Sequence, residues 1–168
     1  NYLLTGSTAV GKQLMTQATS TMKKLSLELG GNAPFIIFED ADLEAAVKGL
    51  MACKFRNAGQ TCISANRVLV QKTIEQPFTE KLRSALGNLK LGPGTEPEVN
   101  LGPLINSAAV TKVKSHIADA LAKGASLLEG GEVASLGGNF FQPTILQNVT
   151  EEMQLTQEET FGPVVPLM

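Results

Sequence analysis

The chain has 168 residues, 43% of them hydrophobic and 18% charged, with a formal charge of −2 at pH 7. That is enough chain for one domain with a real core, in the composition range of ordinary globular proteins. The near-neutral balance without a basic cluster excludes an electrostatic footprint for nucleic acid, and no apolar run reaches the ~18 residues of a membrane helix. One histidine and two cysteines are too few for a clustered metal site. Cys53 and Cys62 make no disulfide scaffold, so a reducing compartment is expected, the cytoplasm or the mitochondrial matrix.

In chain order, Tyr2-Leu3-Leu4 reads as a short strand and Thr5-Gly6-Ser7-Thr8 as the turn into a helix. That helix carries Val10, Leu14 and Ala18 on one face. A glycine turn opening a helix offers backbone N–H groups and a positive dipole end, which suits a phosphate, although a plain strand-to-helix turn has the same pattern. The stretch allows a second reading, because Gly6-Ser7-Thr8-Ala9-Val10-Gly11-Lys12 fits the first seven positions of a nucleoside-triphosphate P-loop. The next position of a P-loop holds magnesium through a Ser or Thr hydroxyl, and here it is Gln13. A Mg-dependent P-loop NTPase is therefore the alternative function.

Leu25 to Leu29 alternates and ends in Gly30-Gly31, a strand with Glu28 and Ser26 on its polar side. Phe35 to Phe38 is apolar without a break, as in a sheet covered on both faces. Asp40 is placed to cap the next helix, with Asp42 and Glu44 in the first turn. Leu43, Val47, Leu50 and Phe55 share a face of that helix, and Cys53 reads as packing.

The stretch Lys54-Phe55-Arg56-Asn57-Ala58-Gly59-Gln60-Thr61-Cys62-Ile63-Ser64 sets a cysteine just after a Gly-Gln-Thr bend, between that helix and a strand from Arg67 to Val70. A thiol where one element ends and another begins suits a thiolate nucleophile, though a cysteine also serves as a small buried apolar residue. Pro77 opens a helix with Phe78, Leu82, Leu86 and Leu89 inward, and Leu91 to Pro97 is a loop. Ser107 caps a third helix with Val110, Val113, Ile117 and Leu121 inward, stopped by Gly124. His116, one residue off that stripe, is expected on the surface. Ala125 to Leu128 reads as a strand, Glu129 to Asn139 as a glycine-rich connection, and Phe140 to Leu146 as extended. Thr160-Phe161-Gly162-Pro163 turns into the last strand. Helices alternating with short apolar strands imply an α/β layered sheet. The opening Asn1-Tyr2-Leu3-Leu4 and the apolar close at Val164 to Met168 lead us to expect a piece of a longer chain.

Four motifs stand in register: Thr5-Gly6-Ser7-Thr8-Ala9-Val10-Gly11, Glu28-Leu29-Gly30-Gly31, Gly59-Gln60-Thr61-Cys62, and Glu158-Glu159-Thr160-Phe161-Gly162-Pro163. Together they resemble the aldehyde dehydrogenase superfamily, and most closely its succinate-semialdehyde branch. Asn32 after the double glycine, where many members have lysine, fits that branch. The resemblance implies a three-layer α/β/α catalytic domain over residues 30–168, preceded in 1–29 by the end of a Rossmann-like NAD(P)-binding domain. It implies Cys62 as nucleophile and Glu28 as general base for hydrolysis of the thioester. Gly6 and Ser7 would lie against the pyrophosphate of NAD or NADP, Glu159 against the nicotinamide-side ribose, and Leu29 and Phe161 would complete the cofactor contacts. Arg56 would bind the far carboxylate of succinate semialdehyde. No metal, nucleic acid or membrane partner is implied; a homo-oligomer, dimer or tetramer, is. An inactive structural fragment of a dehydrogenase is the non-enzymatic alternative.

Overall fold

The computed structural model describes residues 1–168 and divides them into two compact units, residues 1–31 and 32–168.

In the first unit, β1 (Tyr2–Thr5) pairs in parallel with β2 (Leu25–Glu28), in a register that runs from Tyr2 opposite Leu25 to Thr5 opposite Glu28. The connection contains α1 (Thr8–Ala18), capped by Ser7, whose hydroxyl accepts from the Val10 N–H at 3.3 Å. The inward stripe of α1 is Gly11, Leu14 and Ala18, at helical spacing. Val10, expected on that stripe, is 43% exposed. The reason lies at Gly11, where an added Cβ would stand 2.7 Å from Leu29 Cδ2. The helix approaches the strand end through its missing side chain, which rotates Val10 away.

In the second unit, β3 (Ala33–Ile37) pairs in parallel with β4 (Ala65–Val70), while β5 (Ser126–Glu129) runs antiparallel to β6 (Thr144–Gln147), which is parallel to β7 (Val164–Pro166). Just past β7 the chain joins β4: the Met168 N–H donates to Val68 O at 2.9 Å and the Val70 N–H to Met168 O at 3.1 Å. The strands therefore follow the order β3-β4-β7-β6-β5. Four helices complete the unit: α2 (Leu43–Lys54), α3 (Glu75–Leu86), α4 (Ser107–Ala122) and the single turn α5 (Gln154–Gln157). Their apolar stripes meet the strands in one core, with Val47 and Leu50 from α2, Phe78 and Leu82 from α3, and Val113 and Ile117 from α4.

Several expectations change. β3 is not covered on both faces: Ile36 is 56% exposed and Phe38, just after it, 64%. An unbroken apolar run does not reveal which face is covered. Helix α2 lies on the Phe35 side, where a Cβ on Gly49 would meet that ring at 3.7 Å, and Ile36 points the other way. The cap of α2 is Asp42, not Asp40, and its Oδ1 accepts from the N–H groups of Glu44 and Ala45. A turn closed by the Ala41 N–H on Phe38 O comes first and delays the helix. Asn106, not Ser107, caps α4 by accepting from the Ala109 N–H at 2.9 Å. Helix α3 starts at Glu75, two residues before Pro77, whose missing N–H falls among the first four that no helix satisfies internally. Leu89 lies past the end of α3, and Leu121 is 40% exposed.

Candidate active site

At the C-terminal ends of β1 and β2, the first unit gathers Gly6, Ser7, Glu28 and Leu29. Open parallel sheets bind ligands at this edge. The Gly6 N–H donates to Glu28 O at 2.9 Å, tying the turn to the end of β2. Glu28 is exposed and Leu29 half-buried. Here the P-loop reading also meets its structural obstacle. A P-loop cradles phosphate with the free N–H groups of an extended glycine loop, yet residues from Thr8 onward are already helical and the Gly11 N–H is bonded to Ser7 O at 3.0 Å.

In the second unit, the nucleophile segment leaves the end of α2 through a tight turn. Asn57 (φ 51°), Ala58 (φ 55°) and Gly59 (φ 75°) are left-handed in succession. Such a conformation costs roughly 1–2 kcal/mol for each residue with a side chain, so other bonds must hold it. Asn57 Nδ2 donates to Gln60 O, and Gln60 Nε2 donates back to Asn57 O, both at 3.0 Å. The same Gln60 amide ties the turn to the segment before α4, donating to Pro103 O at 3.3 Å and accepting from the Ile105 N–H at 2.9 Å. At Gly59 a Cβ would fall 2.1 Å from Gly162 O, so the turn is pressed against the Phe161-Gly162 segment with no room for a side chain. A second turn, closed by the Ser64 N–H on Thr61 O at 3.0 Å, presents Cys62 as an exposed thiol outside any disulfide. Arg56, at the start of the segment, is exposed. Cys53 is half-buried, and its thiol donates to Ile63 O at 3.5 Å.

Opposite this turn runs the strap Glu158-Glu159-Thr160-Phe161-Gly162. Its anchor is the buried Asn66, whose Nδ2 donates to Leu155 O and Glu158 O, both at 2.9 Å, and to Asn32 Oδ1 at 2.8 Å. Asn66 Oδ1 accepts from the Thr160 N–H at 3.2 Å. Lys112 Nζ donates to Glu159 O. His116 is buried, against the expectation of a surface position. Its Nδ1 lies 3.2 Å from Thr160 Oγ1 and its Nε2 3.7 Å from Glu158 Oε2. A position next to the apolar stripe was enough to turn the ring inward once the strap supplied a hydroxyl partner. Burial, with Lys112 nearby, holds the ring below its ordinary pKa, while Glu158 and Asp119 work in the other direction.

Phe161 emerges from the strap left-handed (φ 55°) and 37% exposed. With Asn57, Gln60, Pro103, Leu104 and Ile105 it lines an open cleft of about 410 Å³. The Cys62-bearing segment and Phe161 thus border the same cleft, with Glu159 two residues from its aromatic wall. Gln60, Asn66, His116 and the fully buried Lys54 had no place among the expected site residues. The Gln within the Gly-Gln-Thr-Cys bend and the Asn inside an otherwise apolar strand were the available signals. No cluster of three or more metal-ligating side chains is present.

A free thiol on a locked turn, beside a cleft with one aromatic wall and on an α/β sheet, defines a chain organised for cysteine chemistry. The aldehyde dehydrogenase family pattern matches residues 2–168, and the chain belongs to that family. It is 57% identical over 99% of its length to a 3-sulfolactaldehyde dehydrogenase of Pseudomonas putida, and 56% identical over 97% to the NADP(+) succinate-semialdehyde dehydrogenase of Escherichia coli. A crystal structure of succinate-semialdehyde dehydrogenase from Burkholderia pseudomallei superposes with a TM-score of 0.97 at 58% identity, over 99% of this chain. In all three cases the chain spans 34% of the relative's length. No helix is long and apolar enough to cross a membrane.

Proposed function

We propose that the protein containing this chain oxidises an aldehyde bearing a distal anionic group, succinate semialdehyde foremost, to the carboxylic acid. The observation that carries the reading is the exposed Cys62 thiol, which follows on the strained left-handed turn Asn57-Ala58-Gly59 that borders the Phe161 cleft. Cys62 attacks the aldehyde carbon as thiolate and forms a thiohemiacetal; loss of hydride leaves a thioester. The Cys62 backbone N–H donates to the developing oxyanion. Glu28 takes a proton from the water that cleaves the thioester, releasing the acid and restoring the thiol.

NAD or NADP, when bound, supplies the hydride acceptor. The residues present fit a dinucleotide in two respects. Gly11 lets the first turns of α1 close on Leu29, so that the Gly6-Ser7 turn and the helix N-terminus stand at the strand ends. The half-exposed Phe161 gives the cleft an apolar wall for a flat ring. Glu159 would hold the ribose hydroxyls.

Arg56 selects the substrate. A guanidinium forms a charge-assisted, bidentate pair with a carboxylate or another oxyanion, and the names of the relatives above, sulfolactaldehyde and succinate semialdehyde, both describe aldehydes with a distal anion. The reading includes a reducing compartment, cytoplasm or mitochondrial matrix, which keeps the Cys62 thiol free, and a dimer or tetramer as the working assembly.

The test is turnover by the full-length protein with NAD or NADP. Cys62→Ala abolishes reduction of the dinucleotide with every aldehyde. Arg56→Ala lowers kcat/KM for succinate semialdehyde by about 1.5–3 kcal/mol of transition-state stabilisation while sparing uncharged butanal. An equal fall for both aldehydes means that Arg56 supports the Cys62 turn and reads nothing of the substrate.

A further inference from the structure

Gln60 is half-buried and borders the cleft with Asn57 and Phe161, yet its amide is not free to take a ligand. Nε2 donates to Asn57 O at 3.0 Å and to Pro103 O at 3.3 Å, and Oε1 accepts from the Ile105 N–H at 2.9 Å. Both amide hydrogens are therefore committed within the protein, and only one lone pair of the oxygen remains. A residue that reads substrate keeps its donors for the substrate. This one directs them at backbone.

The two segments that the amide joins differ in what holds them. On one side Asn57, Ala58 and Gly59 are left-handed, and Gln60 (φ −87°, ψ 60°) is where the chain returns to negative φ, two residues before Cys62. Asn57 and Ala58 carry side chains in a conformation that disfavours them, so the turn depends on the bonds made to it. On the other side, Pro103-Leu104-Ile105 is anchored without the turn. Leu104 is buried in the core, its N–H donates to Asn139 O at 2.9 Å, and Asn106 directly afterwards caps α4. Gln60 fastens the strained segment to the anchored one.

We propose that Gln60 is a positioning residue for the nucleophile: by clamping the turn onto Pro103-Leu104-Ile105, its amide sets where the Cys62 thiolate stands relative to the aldehyde carbon. This rests on the dehydrogenase reading, with Cys62 as nucleophile. Gln60 touches neither aldehyde nor dinucleotide; it acts on Cys62 through the short link of Thr61. A thiolate displaced by about 1 Å loses about 10²-fold in rate while binding is spared.

The experiment compares wild type, Gln60→Glu and Cys62→Ala of the full-length protein in single turnovers of succinate semialdehyde, with enzyme in excess and dinucleotide saturating. Absorbance of the reduced nicotinamide gives the maximal rate and the half-saturating enzyme concentration. A carboxylate at position 60 accepts from the Ile105 N–H but donates to neither carbonyl. Gln60→Glu is expected to lower the maximal rate at pH 8 by about 10²-fold, with half-saturation and dinucleotide Kd within threefold of wild type. As pH falls to 5.5 the carboxyl, facing two carbonyl oxygens, begins to protonate and regains a donor, so the deficit against wild type narrows severalfold. A maximal rate within threefold of wild type, a loss carried by half-saturation, or a deficit constant with pH overturns the role of Gln60. A wild type that reduces no dinucleotide, or a Cys62→Ala protein that still does, overturns the dehydrogenase reading instead.

Should Gln60→Glu not fold, Gln60→Asn keeps a neutral amide one methylene short of Pro103 and Ile105. It is expected to show the same loss of maximal rate with the dinucleotide Kd unchanged, and a maximal rate within threefold of wild type overturns the proposal.

Discussion

At the scale of single residues, the proposed chemistry separates two carboxylates and two thiols by where they stand. Glu28 ends an exposed strand edge, whereas Glu159 sits on a strap tied down on both sides. If Glu28 activates the hydrolytic water, Glu28→Gln retains a burst of one reduced dinucleotide per site while steady turnover slows about 10²–10⁴-fold. Stopped-flow absorbance of the reduced nicotinamide measures both phases, and an unchanged steady rate removes Glu28 from the base role. Cys62, Arg56 and Phe161 could be named as candidates from the sequence because each lies within a motif whose spacing is local. Asn66, His116 and Lys54 were not, because their partners come from distant segments. A lone asparagine in a strand or a histidine beside a helix stripe carries no mark of the strap that will satisfy it. Periodicity assigns such polar residues to water by default, and here the tertiary structure overrules it.

Among the elements, existence and type were easier to read than edges. The strands at Leu25, Phe35 and Arg67 and the helices after Asp42, near Pro77 and after Ser107 all occur, since their apolar spacing is strong. Caps moved by one or two residues where a preceding turn took the first hydrogen bonds, as at Phe38 to Ala41. Helix α4 has a pH dependence that follows from its buried histidine. The ring's pKa in the folded protein lies below 6.5, its ordinary value, so the unfolded chain binds more protons as pH falls through that region. The stability that His116 contributes is fully present above pH 6.5 and is lost as pH drops towards the lower folded pKa. Urea midpoints measured from pH 7.5 to 5 are expected to fall in wild type and to fall less in His116→Asn. Parallel slopes for the two proteins assign the acid sensitivity elsewhere.

For the molecule as a whole, the α/β class followed from the alternation of strands and helices, but which sheet faces are covered shows only in the structure. Ile36, Phe38 and Leu69 are exposed; Ile36 and Leu69 stand directly opposite each other on β3 and β4. Composition and period give no hint of this open face, because the same apolar run serves a strand covered on one side or on both. A polypeptide of residues 1–168 alone is expected to show no dehydrogenase turnover, since the relatives it matches are about three times longer. Activity equal to that of the full-length protein, in a sample whose intact mass corresponds to these residues, would refute this.

The seat of Gly59 against Gly162 also bears on how the molecule is made. The two glycines lie near opposite ends of the second unit, and Asn66 reaches from β4 to the same late segment. During synthesis the ribosome releases Cys62 long before Gly162. Until that late stretch docks, the left-handed turn is held only by the Asn57 and Gln60 amide bonds and by Gln60's ties to Pro103 and Ile105. The wall that Gly162 and Phe161 give the nucleophile segment is therefore added last.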